Sequence, residues 1–200
     1  HIILYSRDNL EGLIIEETPL KELAAHPAFN TRDGNAVPEI NKFFAAAKKE
    51  LDQQQAARNH NTRLICEIKA PKNPDFCDIF IEELIKAVEE GQMRNYITLA
   101  SDDLHICKTL AARMPDIPVA LITSKMPPTK ISEMGISDIC YSFKTLLEHP
   151  EWIDEAHKKD MKVYASIVDD PEFVHKLAMM KVDAIVTNLP LDMQEWLEKK

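Results

Sequence analysis

Beyond residue 60 the chain alternates short apolar runs with helical patterns. The runs lie at residues 64–68, 96–100, 119–122, 138–142, 163–168 and 184–187. Each is mostly apolar and rich in Ile or Val, rather than alternating apolar with polar. That pattern predicts strands buried on both faces, as in a parallel sheet. Between them, residues 79–90 place Ile81, Leu84, Ile85 and Val88 at helical spacing. Residues 103–114, 144–147, 151–159, 171–180 and 191–199 read likewise. Asp169 and Asp170 before Pro171 read as a cap followed by proline at the first helical position. Strands alternating with helices predict βα units joined by right-handed crossovers.

The N-terminal third is different. Residues 2–5 read as a short strand and residues 6–18 as irregular. Residues 42–55 form an Ala-rich helical stretch, and the polar residues 53–62 read as a loop or a frayed helix end. No low-complexity linker interrupts the chain, so residues 1–200 read as one domain. Six βα repeats follow residue 60. A closed (β/α)8 barrel needs eight, whereas an open six-stranded doubly wound sheet needs no more than six. Periodicity alone leaves both folds standing.

Composition narrows the function. The 200 residues carry 24 Lys and Arg against 33 Asp and Glu, a net charge of −9. An acidic chain lacks the basic footprint that nucleic acid demands. No apolar run approaches the roughly 20 residues of a membrane span. Cys66, Cys77, Cys107 and Cys140 form no CxxC pair, which argues against zinc. Cys66 and Cys140 sit in apolar strands and read as core thiols. The four glycines make no phosphate-cradling GxGxxG or GxxxxGK loop. Trp152 and Trp196 read as packing residues, and the histidines other than His1 as surface residues. Asp102 and Asp103 fit either a ligand contact or a helix cap.

The most informative segment is Leu64-Ile65-Cys66-Glu67-Ile68-Lys69. Glu67 and Lys69 are two apart, so both leave the same face of an apolar strand. Two charges there need partners. The C-terminal end of a barrel strand is where active sites form; a solvent-facing ion pair at a strand end is the plain alternative.

This segment resembles the "E-I-K" strand of the glycerophosphodiester phosphodiesterases. Further likenesses follow in the same order. Val37-Pro38-Glu39-Ile40 resembles "iPtLeevl", which opens the preceding helix. Ser101 falls near the serine of "SF". Val168-Asp169-Asp170-Pro171 follows the strand that usually reads "WTvn", and 182–190 resemble the closing "GvDgIiTDrP". The resemblance implies a TIM (β/α)8 barrel whose first two βα units, with their "HRG" and "ExD" motifs, are absent from this chain. The native polypeptide is then expected to be longer by two units of about 30 residues each.

The resemblance also implies metal-dependent hydrolysis of a glycerophosphodiester to an alcohol and glycerol 3-phosphate, in lipid and glycerol metabolism. Glu67 would be a ligand of Mg²⁺ or Ca²⁺, hard cations that take carboxylate oxygens. Lys69 would neutralise charge on the phosphate. Ser101, Ser166 and Asn188 would contact substrate. The second family histidine, in an "HD" motif, falls on His1 or on Ser6 according to register. Only the second register leaves residues 2–5 where the strand belongs, and serine is no neutral-pH acid. Asp102, Ser166, Lys181 and Asn188 depart from the family's Phe, Trp, Gly and Asp. Ser6, Ser166 and Asn188, at positions where the family keeps catalytic or contact residues, motivate an alternative, a catalytically degenerate barrel that binds a phosphorylated or polyol ligand without turnover. Schiff-base chemistry at Lys69 is a third idea; Glu67 opposes it by favouring the charged lysine. A small-molecule substrate is expected, and oligomeric state stays open. So does the compartment, with export to a bacterial periplasm suggested by relatives.

Overall fold

The computed structural model describes residues 2–4, 9–29, 37–56 and 62–198. The chain divides into two compact units. The first is His1–Leu64 with Lys69–Ile97, and the second is Ile65–Ile68 with Thr98–Lys200.

In the first unit, β1 (Asn9–Leu10) and β2 (Leu13–Ile14) form an antiparallel hairpin. Its two turn residues, Glu11 and Gly12, both have positive φ, 48° and 101°. That geometry matches the right-handed twist of a tight hairpin. Residues 6–18 were expected to be irregular; the hairpin corrects this over 9–14. Glu-Gly lacks the Asn or Asp that usually marks such a turn. Helix α1 (Leu20–Ala25) follows and buries Leu23 with Phe29. Ile3, Leu13, Ile15, Leu20 and Val37 pack on that pair. The strand expected at 2–5 is reduced to one antiparallel bridge between Ile3 and Glu39, with Tyr5 outside the described residues.

Helix α2 (Ile40–Ala56) starts two residues earlier than its pattern suggests and buries Ile40, Phe44 and Leu51. Next come β3 (Leu64–Ile68), which belongs to the second unit from Ile65 on, and α3 (Cys77–Glu90) of the first. Helix α3 buries Ile81, Leu84, Ala87 and Val88, three of them positions its periodicity marked. Glu16 reaches the loop between β3 and α3. Its carboxylate accepts the backbone N–H groups of Lys72 (2.7 Å) and Asn73 (3.0 Å).

The second unit carries strands β4 (Ile97–Ser101, from Thr98 on), β5 (Val119–Thr123), β6 (Asp138–Ser142), β7 (Lys162–Ser166) and β8 (Ala184–Ile185). Helices α4 (Leu104–Arg113), α5 (Pro128–Ser132), α6 (Phe143–Glu148), α7 (Glu151–His157), α8 (Pro171–Met179) and α9 (Pro190–Glu198) alternate with them. Short α5, with proline in its first turn, has too few residues to show a period and was not foreseen.

The sheet order is β3-β4-β5-β6-β7-β8, and each pairing from β4 to β8 is parallel. This order separates the two folds. A doubly wound sheet reverses its strand order at a switch point, whereas barrel winding adds each strand beside the last. The sheet is wound as a barrel, and its six strands make a half-barrel. Among the described residues β3 and β8 are its ends. β8 is shorter than its apolar run, but single bonds extend the ladder. Val186 N–H donates to Ala165 C=O (2.8 Å), and Val168 N–H to Val186 C=O (2.9 Å).

The capping signals are met. Asp103 Oδ1 accepts Ile106 N–H at the start of α4, and Asp170 Oδ1 accepts Glu172 N–H ahead of Pro171. Asp102 makes no such cap and is exposed.

Candidate functional site

Parallel register sorts the side chains of the second unit onto two faces. Ala100 pairs with Ala120, Ile122 with Cys140, Cys140 with Tyr164, and Tyr164 with Ala184. These residues share one face and pack as a cluster. Leu99, Val119, Leu121, Ile139, Tyr141, Val163 and Ala165 have the opposite parity. There the Tyr141 ring lies 5.2 Å from Trp152 of α7. Helices cover that second face, so chemistry open to a ligand belongs on the first.

At the N-terminal end the first face is closed by polar groups. Tyr164 donates its hydroxyl to Asp138 Oδ2 at 2.5 Å and is also hydrogen-bonded to Thr98. Thr98, Asp138 and Tyr164 are all buried. Burial pushes the Asp138 carboxyl above its ordinary value, against the pull of the Tyr164 hydroxyl and the Lys162 charge. Burial and Asp138 together raise the Tyr164 phenol.

On the same face Cys140 lies level with Tyr164, and Ser166 lies level with Ser142 at the C-terminal end of β7. Ser166 donates to Tyr141 C=O at 3.3 Å. The Cys140 thiol is raised by burial and, further, by the charge of Glu67. The Glu67 charge thus raises the Cys140 thiol, while the Ser166 side chain lowers it. Cys66, of opposite parity to Glu67, is a half-buried thiol pushed up to about 11 by burial. The core-thiol reading fits both cysteines: a raised thiol is a poor nucleophile.

Beyond the strands, Asp169 ties two rim loops. Its Oδ1 accepts the Thr187 hydroxyl (2.8 Å) and Asn188 N–H (2.8 Å), and its Oδ2 accepts Asn188 Nδ2–H (2.7 Å). These bonds hold its carboxyl below the usual value.

The sequence-selected residues fall as follows. Glu67 and Ser166 share the Cys140 neighbourhood. Asn188 is exposed at the rim with its amide engaged by Asp169. Ser101 is buried. Its hydroxyl donates to Ile68 C=O (2.8 Å) and accepts Asp103 N–H (3.1 Å), which ties β4 to β3 and shapes the turn into α4. Lys69, exposed, follows β3 by one residue and belongs to the first unit. His1 and Ser6 lie outside the described residues.

Asp138, Tyr164 and Asp169 did not stand out in the sequence. Asp138 had a usable signal: a carboxylate opening an otherwise apolar strand, two residues before Cys140. Asp169 was masked by Asp170, whose capping role seemed to account for both.

A hard cation takes six or more oxygen ligands when it is calcium, and near-octahedral geometry when it is magnesium. Among the described residues, no group of three His, Cys, Asp or Glu side chains could hold a metal. Glu67 alone does not fit such an ion.

Known structures share this fold. A glycerophosphodiester phosphodiesterase from Parabacteroides distasonis aligns with a TM-score of 0.87 at 23% identity, over 98% of this chain and 77% of that one. A phosphodiesterase from Oleispira antarctica, solved with its product sn-glycerol-3-phosphate, gives 0.73 at 17% identity over 98% and 79%. A glycerophosphodiester phosphodiesterase from Thermotoga maritima gives 0.65 at 14% identity over 99% and 79%. No family model matches the chain, and no curated protein does. At these identities the likeness is one of fold: an α/β chain with the barrel winding of the phosphodiesterase structures. No helix among the described residues is long and apolar enough to cross a membrane.

Proposed function

We propose that the protein hydrolyses a glycerophosphodiester to an alcohol and glycerol 3-phosphate, at the C-terminal end of the sheet. One observation carries the reading: the Glu67 charge acts on Cys140, whose sheet face also carries Ser166 at the end of β7. The barrel winding shared with phosphodiesterase structures supports it. In this reading Lys69 offsets the phosphate charge, and Ser166 and Asn188 contact the substrate. Ser101 supports them through the β4–α4 turn. The proton donor to the leaving alcohol is His1 or Ser6. A hydroxyl at Ser6 would not serve as a neutral-pH acid.

Mg²⁺ or Ca²⁺ belongs to this proposal through the resemblance of the Glu67 strand. Its remaining ligands would have to come from outside the described residues, since these make no cage for it.

The test is glycerophosphocholine hydrolysis, followed as released glycerol 3-phosphate, with Mg²⁺, Ca²⁺ or chelator. Turnover that needs a divalent cation and fails in Glu67→Gln is the expected result. A folded protein that releases nothing under any of these conditions refutes hydrolysis. Binding of glycerol 3-phosphate without turnover would identify a ligand-binding barrel instead.

A further inference from the structure

Asp169 and Asn188 form more than a loop tie, because their chemistry fixes which atom the rim presents. An ionised carboxylate can only accept hydrogen bonds. The Asn188 atom facing Asp169 Oδ2 at 2.7 Å is therefore its NH₂ group. The side-chain carbonyl oxygen Oδ1 must then point the other way, on an exposed residue. Three more bonds remove the remaining freedom. Asp169 Oδ1 holds Asn188 N–H and the Thr187 hydroxyl, and that hydroxyl accepts Leu189 N–H at 3.1 Å. The amide is thus held at both its backbone and its side chain. The same bonds, Asn188 foremost, keep the Asp169 carboxyl below its usual range, so it stays an acceptor at neutral pH. Ile167 and Leu189, next to the pair in sequence, are exposed apolar residues.

We infer that Asn188 is a specificity-determining residue whose fixed carbonyl oxygen accepts a hydrogen bond from a ligand hydroxyl, with Asp169 as the positioning residue behind it. This rests on the proposed function only in taking the ligand to be a glycerol phosphoester. The atom presented separates the two ends of such a molecule. A phosphate offers acceptor oxygens and meets a carbonyl unfavourably, whereas a glycerol hydroxyl donates. Asn188 therefore reads the glycerol end.

Calorimetry on the whole protein, with sn-glycerol 3-phosphate and methyl phosphate as probes, tests the inference. The unchanged protein is expected to prefer the glycerol ester. Asp169→Ala frees the amide and is expected to weaken glycerol 3-phosphate about tenfold, near the 1.4 kcal/mol of one hydrogen bond, with methyl phosphate unaffected. A merely structural role would weaken both probes alike. The exchange Asp169→Asn with Asn188→Asp guards against misfolding. It rebuilds an amide–carboxylate pair with an acceptor still at 188, and is expected to recover the preference. Equal loss of both probes, no preference in the unchanged protein, or an exchange variant that folds without regaining selectivity would each overturn it. Preference without hydrolysis would sink the phosphodiesterase reading and leave this inference standing. Hydrolysis without preference would do the reverse.

Discussion

Asp138 and Asp169 are the same residue type on the same sheet, and their surroundings drive them in opposite directions. Asp138 begins β6 and is buried beneath Tyr164. Burial dominates there, so its carboxyl rises. Asp169 follows β7 at the opposite end, exposed, and collects three donors. Hydrogen bonding dominates there, so its carboxyl falls. The first acid closes the bottom of the face and is nearly out of reach of solvent. The second ties the rim loops together. One end of the sheet is built for closure and the other for exchange with solution.

Four changes bear on that contrast. The largest effect is expected from Glu67→Gln at the open end. If the rim is a working site, turnover should fall by about 10²–10³-fold, while the urea midpoint moves by less than about 0.5 kcal/mol equivalent. A matching loss of stability would make Glu67 a structural residue. At the closed end, Tyr164→Phe takes the donor from a buried carboxyl. Urea denaturation should show a loss of about 1–3 kcal/mol, with turnover of the folded fraction preserved. Asp170→Ala tests whether the two neighbouring acids divide their labour. Loss of the α8 cap should cost about 1 kcal/mol, read from thermal unfolding, and leave the glycerol ester preference alone. If the preference moved as well, the separation of Asp169 from Asp170 would be wrong.

The subtlest change lies in the pH course of stability. A carboxyl whose folded pKa is raised binds its proton more tightly in the folded state. Stability therefore falls as pH rises from the unfolded value of about 3.8 through the folded one. Asp169 does the opposite: its contribution is present above its unfolded value and is lost as pH falls through the lowered one. Asp138→Asn should abolish the decline above about pH 4, seen in urea midpoints taken from about pH 4 to 7. An unchanged decline would mean that another group titrates there.

Much of the fold was readable in the chain. The continuous apolar runs located all six strands of the sheet, and Asp103, Asp170 and Pro171 marked helix starts because capping is a local matter. The hairpin at 9–14 and helix α1 were not readable. Their stability comes from the Leu23–Phe29 cluster, which draws on Ile3 and Val37, and no local window contains those partners. The winding of the sheet was undecidable for a related reason, since strand order is a property of pairing. Of the site, Glu67 was visible because a charge ending an apolar strand violates the pattern around it. Ser101 was singled out as well, but its hydroxyl serves Ile68 and Asp103. Asp169 escaped attention because its three partners lie 18 and 19 residues downstream.

Glu16 grips the amides of Lys72 and Asn73, just past Lys69. Because that segment is already ordered from a turn 56 residues upstream, any further ordering of it costs less conformational entropy. Order just past the lysine is therefore partly written into the short turn Ile15–Glu17 that follows the hairpin and carries no chemistry of its own.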